Sequence, residues 1–212
     1  MATTQPELEI GPDLAVWLTG PPAGADEADR TRWAAEAQYA LASDFDLENA
    51  PDGVASRAYL ARILQAFAAW PTPADLTFLR LRSADDTPMP LGLELYTRDD
   101  VLALCDELGE WPAADELPHT WFADRMSSFG AGVPTPAEVS DEPVDGAAGW
   151  RRVVLWLEED GVLTSRVRYT RAYEASGVVA VLRWGGLDPA ETIDAILDVD
   201  DLVRTIRVGG EA

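Results

Sequence analysis

The sequence predicts an α+β fold: an antiparallel sheet of about five or six strands, with an N-terminal helical hairpin and a C-terminal helix. Three observations carry this prediction. Residues 26–69 hold two apolar stripes of helical period with a break between them, residues 153–184 hold three strand-like runs joined by Gly-containing turns, and Asp188-Pro189 opens a last helical pattern. The chain of 212 residues is 47% hydrophobic, enough for a sizeable core, and its eight Trp argue against disorder.

Taken in order, residues 1–24 read as an arm, because Gly11-Pro12 and Thr19-Gly20-Pro21-Pro22 allow at most a short strand near Leu14–Leu18, pinned by Trp17. Residues 25–72 read as the helical hairpin. Its first helix runs from Asp26 to about Ser43 with Trp33, Ala37, Ala40 and Leu41 on one face. Its second spans about 54–69 with Tyr59, Leu60, Ile63, Leu64 and Phe67 in a stripe, and Trp70-Pro71 ends it because a residue before Pro avoids the helical region. Residues 73–212 read as an α+β region that forms one compact unit with the hairpin. Residues 76–82 and 91–96 make an antiparallel pair. A helix then starts at Thr97, capped by its hydroxyl, and stops at Gly109.

Residues 110–149 hold five prolines and no periodicity, which predicts loop with a short strand around Thr120–Ala123. Beyond them, Val153–Glu158, Leu163–Thr170 and Val178–Trp184 predict a meander with hairpin turns at 159–161 and 175–177. The last helix is capped by Asp188 and started by Pro189. Its stripe shifts from Ile193, Ile196 and Leu197 to Val199, Leu202, Val203 and Ile206, which predicts a break near Asp198, recapped by Asp198 and Asp201.

All 16 basic residues are Arg, and no Lys occurs. That absence excludes a P-loop, Schiff-base or pyridoxal phosphate chemistry, and kinase-type phosphate positioning by a strand Lys. Together with abundant Ala, Gly and Pro it reads as the coding bias of a high-GC bacterium. The 38 acidic residues give a formal charge of −22 spread over both halves of the chain, a field that repels nucleic acid and anionic lipid. The N-terminus has no basic and apolar signal pattern, and Cys105 alone permits no intrachain disulfide, so the expected address is cytoplasmic.

Four constellations are candidates for chemistry. Asp44, Asp46 and Glu48 open like a calcium loop, but Asn49 stands where the turn wants Gly and Ala55 where the bidentate Glu belongs, so a helix–helix turn is expected. Asp194, Asp198, Asp200 and Asp201 are read as caps and a solvated face rather than a cation site. Cys105 and His119 are the sole thiol and imidazole, yet Cys105 falls on an apolar helix face, which predicts core packing. The fourth is the Arg set. Arg80 and Arg82 alternate on one strand and Arg166 and Arg168 on another, so each pair faces one way and the four make a candidate anionic-ligand face, with Arg183 nearby. Glu94 and Glu158 are the expected cross-strand partners if the set is merely structural.

By elimination, the leading expectation is a cytosolic, non-catalytic protein-interaction module with no cofactor, such as an immunity protein, chaperone or structural accessory, that meets a basic protein partner. Trp111 and Trp121 in the irregular stretch are the candidate contacts. The alternative is a small anionic-ligand binder or carboxylate-based enzyme using the Arg-bearing face. No direct nucleic-acid or membrane partner is expected. Elemental analysis of the purified chain should find no stoichiometric zinc, iron or calcium; one metal per chain would reverse the reading of the Asp44 or Asp194–Asp201 cluster.

Overall fold

The computed structural model describes residues 7–128, 137–186 and 188–209. The chain is α+β, and it divides into two compact units, one of residues 13–92 and the other of residues 1–12 with 93–212. Nine strands and five helices are seen among the described residues. Seven strands form one antiparallel sheet in the spatial order 17–19, 76–80, 89–96, 178–185, 162–173, 151–159 and 137–143, and two short strands, 8–9 and 207–208, pair with each other.

In the unit of residues 13–92, β2 (Trp17–Thr19) pairs antiparallel with β3 (Leu76–Arg80), Leu18 opposite Leu79. Trp17 is buried against the edge of Phe78, so the short strand near residue 17 exists and Trp17 does pin it. The hairpin is α1 (Glu27–Asp44) and α2 (Gly53–Ala68). Asp26 caps α1 by accepting from the Asp29 N–H at 2.8 Å, with Glu27 and Asp29 suiting the positive first turn. Ala34 and Ala37 of α1 let α2 approach closely, and Leu60, Leu64 and Phe67 of α2 fill the space between them and Leu79 and Leu81. Gly53 is required where α2 begins, since a Cβ there would meet the Leu47 carbonyl oxygen at 1.9 Å.

Strand β4 (Met89–Tyr96) enters both units, its residues up to Gly92 in the first and from Leu93 in the second. The second unit continues with α3 (Arg98–Leu108). Thr97 and Asp100 close a reciprocal capping box at its start, and Gly109 ends it at φ +66°. Next comes α4 (Pro118–Ser127), then β5 (Ala137–Pro143), β6 (Arg151–Glu159), β7 (Val162–Tyr173) and β8 (Val178–Gly185). Asp160 and Gly161 both lie at positive φ, 54° and 77°, the geometry of a tight β6–β7 hairpin. Helix α5 (Pro189–Thr205) and β9 (Arg207–Val208) complete the chain, β9 pairing with β1 (Leu8–Glu9).

The two faces of the sheet in this unit are assigned residue by residue. On β7, Ser165, Tyr169 and Tyr173 face α5: the Ser165 hydroxyl lies 2.7 Å from that of Thr192, and Tyr169 donates to Asp200 Oδ1 at 2.7 Å. The alternate residues, Arg168 and Thr170, face α4, where Thr170 Oγ1 lies 2.6 Å from Ser127 Oγ and Arg168 reaches the helix's last carbonyls.

The expected antiparallel sheet is present with seven strands, the polar segment β5 adding an outer strand paired with β6 from Ala137 opposite Leu157 to Pro143 opposite Arg151. Two expectations are corrected. Thr120–Ala123 is helix, not strand: Pro118 at the first helical position starts α4, and Phe122 and Ala123 pack on Val101, Cys105, Val179 and Val181. Helix α5 does not break at Asp198. Asp198 is buried within the continuous helix and Asp201 is exposed and pairs with Arg204, so neither recaps it; Asp200, read with them as a cap or solvated residue, is buried and held by Arg152 of β6 at 2.6 Å and by Tyr169.

The buried group of Asp200, Arg152 and Tyr169 ties α5 to the sheet, and removing one member strands the others. Asp200→Ala is therefore expected to cost roughly 3–5 kcal/mol in denaturant unfolding, whereas Glu142→Ala, which removes Arg152's exposed second partner, should change stability by less than about 0.5 kcal/mol. Equal effects would remove Asp200 from its role as anchor.

Candidate functional site

The corner between α3 and α4 concentrates exposed apolar side chains and charge of one sign. Leu108 is 52% exposed, Trp111 54% and Leu117 51%, all within ten residues of chain. Asp106, Glu107, Glu110, Asp115 and Glu116 stand among them, and residues 106–117 contain no Arg. Single exposed hydrophobes are ordinary, but three so close in the chain and rimmed by charge are the composition of a contact patch.

Helix stability explains only some of the acids here. Asp106 and Glu107 lie in the last turn of α3, which has no basic residue, and the carbonyl end of a helix repels carboxylates. Asp115 and Glu116, just before α4, suit the positive end of that helix. Arg125 of α4 holds the connection in place through a two-toothed pair with Glu110, Nε–Oε2 2.9 Å and Nη2–Oε1 3.4 Å. Trp111 follows Glu110 directly and precedes Pro112, which restricts its backbone to extended conformations. The Trp is thus presented rather than loosely tethered.

Trp121, the other aromatic candidate, lies on α4 and is half-buried against the cluster of Val101, Cys105, Phe122 and Val181. Cys105 is fully buried, and burial, reinforced by the charge of Asp106, pushes its thiol pKa above the usual value. His119 sits in the first turn of α4, half-buried.

The Arg set separates between the two units. Strand β3 ends at Arg80, whose buried side chain meets Asp86 Oδ2 at 3.6 Å, while the same carboxylate accepts the Arg82 backbone N–H at 3.0 Å and turns the chain. Arg82 consequently lies past the strand. Arg166 and Arg168 do share one face of β7, and Arg183 of β8, directly opposite Arg168, joins them. Arg183 pairs with Glu94 at 3.3 Å and with the Tyr96 hydroxyl at 3.4 Å. Tyr96 in turn donates to Glu94. Its pKa is pushed up to about 12 by burial, then by the hydrogen bond and charge of Glu94. Glu158 lies opposite Leu163 at the hairpin end of β7.

Helical spacing places Leu108 on one apolar face of α3 with Val101, Leu104 and Cys105, yet Leu108 is exposed, and the exposure of Leu117 follows from a start of α4 that the sequence does not mark. Two clefts lie in the unit of residues 13–92. One of about 330 Å³ is lined by Pro21, Arg30, Phe67, Trp70, Pro73 and Asp75, among others, and the second, about 580 Å³, lies beside Tyr39 and Arg57. Among the described residues no group of three or more His, Cys, Asp or Glu is placed to hold a metal ion, and no helix is long and apolar enough to cross a membrane. No protein-family model matches the chain, and no curated protein matches it.

The burial of Cys105 sets its reactivity. Labelling by a thiol reagent is expected to be slow under native conditions and to accelerate with denaturant in step with unfolding; rapid labelling of the folded protein would place the thiol at an accessible site instead.

Proposed function

We propose that this chain is a protein-binding module that receives a basic partner on the α3–α4 corner, with Trp111 as its anchor. The observation that carries the reading is the half-exposed Trp111, which lies in the chain between exposed Leu108 and Leu117 in a segment that also holds five carboxylates, two of them against the dipole of α3. A side chain arrangement that costs local stability is expected where an outside contact compensates for it. A cationic surface would remove the repulsion at the end of α3, and its apolar residues would cover the Trp and the two Leu.

The charge of −22 supports the same reading through kinetics. It accelerates encounter with a cationic surface and makes association weaken with salt, whereas affinity comes from the buried aromatic anchor. Nucleic acid is disfavoured as a partner by the same field. A cytoplasmic setting belongs to this proposal and rests on the single cysteine.

Affinity capture with the intact chain, followed by mass spectrometry and titration of the recovered partner, tests the reading. The partner should be basic, and its affinity should fall between low and high salt. Trp111→Ala should weaken binding by about 2 kcal/mol, roughly 30-fold, with little change in melting temperature. Trp121→Ala should instead act on stability, toward the low end of roughly 3–5 kcal/mol because that ring is only half-buried. An acidic partner, or binding indifferent to Trp111→Ala, would sink the proposal.

A further inference from the structure

The cleft of about 330 Å³ in the unit of residues 13–92 has the make-up of a small-molecule site. Its size lies at the low end of the roughly 300–1,000 Å³ that such sites occupy. Four parts of the unit line it: the segment after β2, the start of α1, the end of α2 and the segment leading into β3. Pro21 and Pro22 stiffen the first of these and Pro73 the last. The segment after β2 is also held by hydrogen bonds, since the Gly20 N–H donates to the Thr77 carbonyl at 2.7 Å and the Trp33 indole N–H of α1 donates to the Thr19 carbonyl at 3.2 Å. Gly20 is required there, because a Cβ would collide with Thr77 Oγ1 and press on the Phe67 ring. A ligand entering such a cleft orders little of the chain.

The lining combines an aromatic surface with one charge of each sign. Phe67 is packed between Trp33, ring centroids 5.7 Å apart, and Trp70, stacked at 6.3 Å with 28° between the planes. Phe67 and Trp70 both line the cleft, Trp70 half-buried, so the ring surface is fixed by the packing behind it. The charged lining residues are Arg30 of α1 and Asp75, which precedes β3. Arg30 has an acid at each of the two preceding positions where a helical Arg finds a partner, Asp26 and Glu27. It nevertheless makes no ion pair among the described residues, whereas its neighbour Arg32 pairs with Asp29 at 2.6 Å. An exposed guanidinium at the mouth of an aromatic cleft is thus left with its fork of donors, in a chain whose acids outnumber its Arg by 38 to 16.

We propose that this cleft binds a free α-amino acid with an apolar side chain, its carboxylate on Arg30, its ammonium toward Asp75 and its side chain against Trp70. The guanidinium fork matches a carboxylate bidentately. Asp75 has a partner of its own, and a carboxylate accepts several donors, so the ammonium joins that partner rather than replacing it. The ring of Trp70 and the neighbouring prolines suit an apolar side chain. Net charge favours a zwitterion over a plain anion, because the field of a chain at −22 repels an anion and leaves a neutral ligand untouched. The site is separate from the α3–α4 corner, and it stands or falls without the partner proposed there.

Calorimetric titration of the full chain tests the site, with L-phenylalanine as the probe and glycine, 3-phenylpropionate and phenethylamine as its truncated forms. L-Phenylalanine should bind saturably. The truncated forms lack in turn the side chain, the ammonium and the carboxylate, and each should bind at least about tenfold more weakly. Arg30→Gln, at an exposed position without an ion pair, should keep the melting temperature of the unliganded protein and weaken phenylalanine binding at least about tenfold. Arg62→Gln, an exposed Arg of α2 outside the cleft, should leave binding unchanged. Failure of L-phenylalanine to bind saturably up to about 50 mM, any truncated form binding as well as the intact amino acid, or undiminished binding by the Arg30 variant would each overturn the proposal.

Discussion

The register of β7 against its neighbours is the constraint on which the rest of the larger unit depends. Arg168 opposite Arg183 and Tyr169 opposite Leu182 are consecutive pairs on opposite faces, so each residue step along β7 changes which helix is addressed. A slip of one residue would turn Tyr169 away from Asp200 and thrust a guanidinium toward Val199 and Val203, buried on α5. Side chains at both faces therefore enforce one alignment. The hydroxyl pairs Ser165–Thr192 and Thr170–Ser127, one on each face, satisfy buried polar groups only in that register. The acidic corner inherits it, because α4, which leads out of that corner, is seated on the face of β7 that carries Arg168 and Thr170.

The sequence made legible those elements whose signals are local. Asp26, Thr97 with Asp100, Gly109 and Asp188-Pro189 mark helix ends through bonds or dihedral angles that need no tertiary context. The alternation in 162–173 and the Asp160-Gly161 turn are equally local. Helix α4 is different: Leu117 offers no capping side chain, and Thr120, Trp121 and Phe122 are residues that favour strands. Packing on Val101 and Val179 decides for helix. Strand β5, with Glu138, Ser140, Asp141 and Glu142, has little apolar alternation, and its pairing with β6 makes it a strand. Asp200 looked like a cap or a solvated residue because its partners, Arg152 of β6 and Tyr169 of β7, lie far away in the chain.

The candidate site was legible to the same extent. That Trp111 lies in a Pro-rich connection can be read from the chain, and so can the density of acids around it. The different environment of Trp121 cannot, since it follows from the helix that tertiary packing creates. Alternation placed Arg166 and Arg168 on one face, but the separation of Arg80 from them depends on how the chain divides, and the pairing of Arg183 with Arg168 depends on the length of the 174–177 turn. Local rules name the residues, and tertiary structure selects among them.

Acidic residues are so numerous that their presence alone carries no meaning, and structure is what sorts them. Asp26, Asp100 and Asp188 cap helices, Asp86 and Asp200 hold buried or nearly buried Arg residues, and Asp124 and Asp141 flank Arg151. Asp106 and Glu107 have no such role, and they are placed where the dipole of α3 opposes them. Helix α4 has charge at both ends: its positive end follows Asp115 and Glu116, and Arg168 donates to the carbonyls at its negative end. A helix with no side-chain cap at its start gains from charge at both ends. The helix dipole thus accounts for Asp115, Glu116 and Arg168, and it leaves Asp106, Glu107, Arg166 and Arg183 as the charges whose placement this helix does not explain.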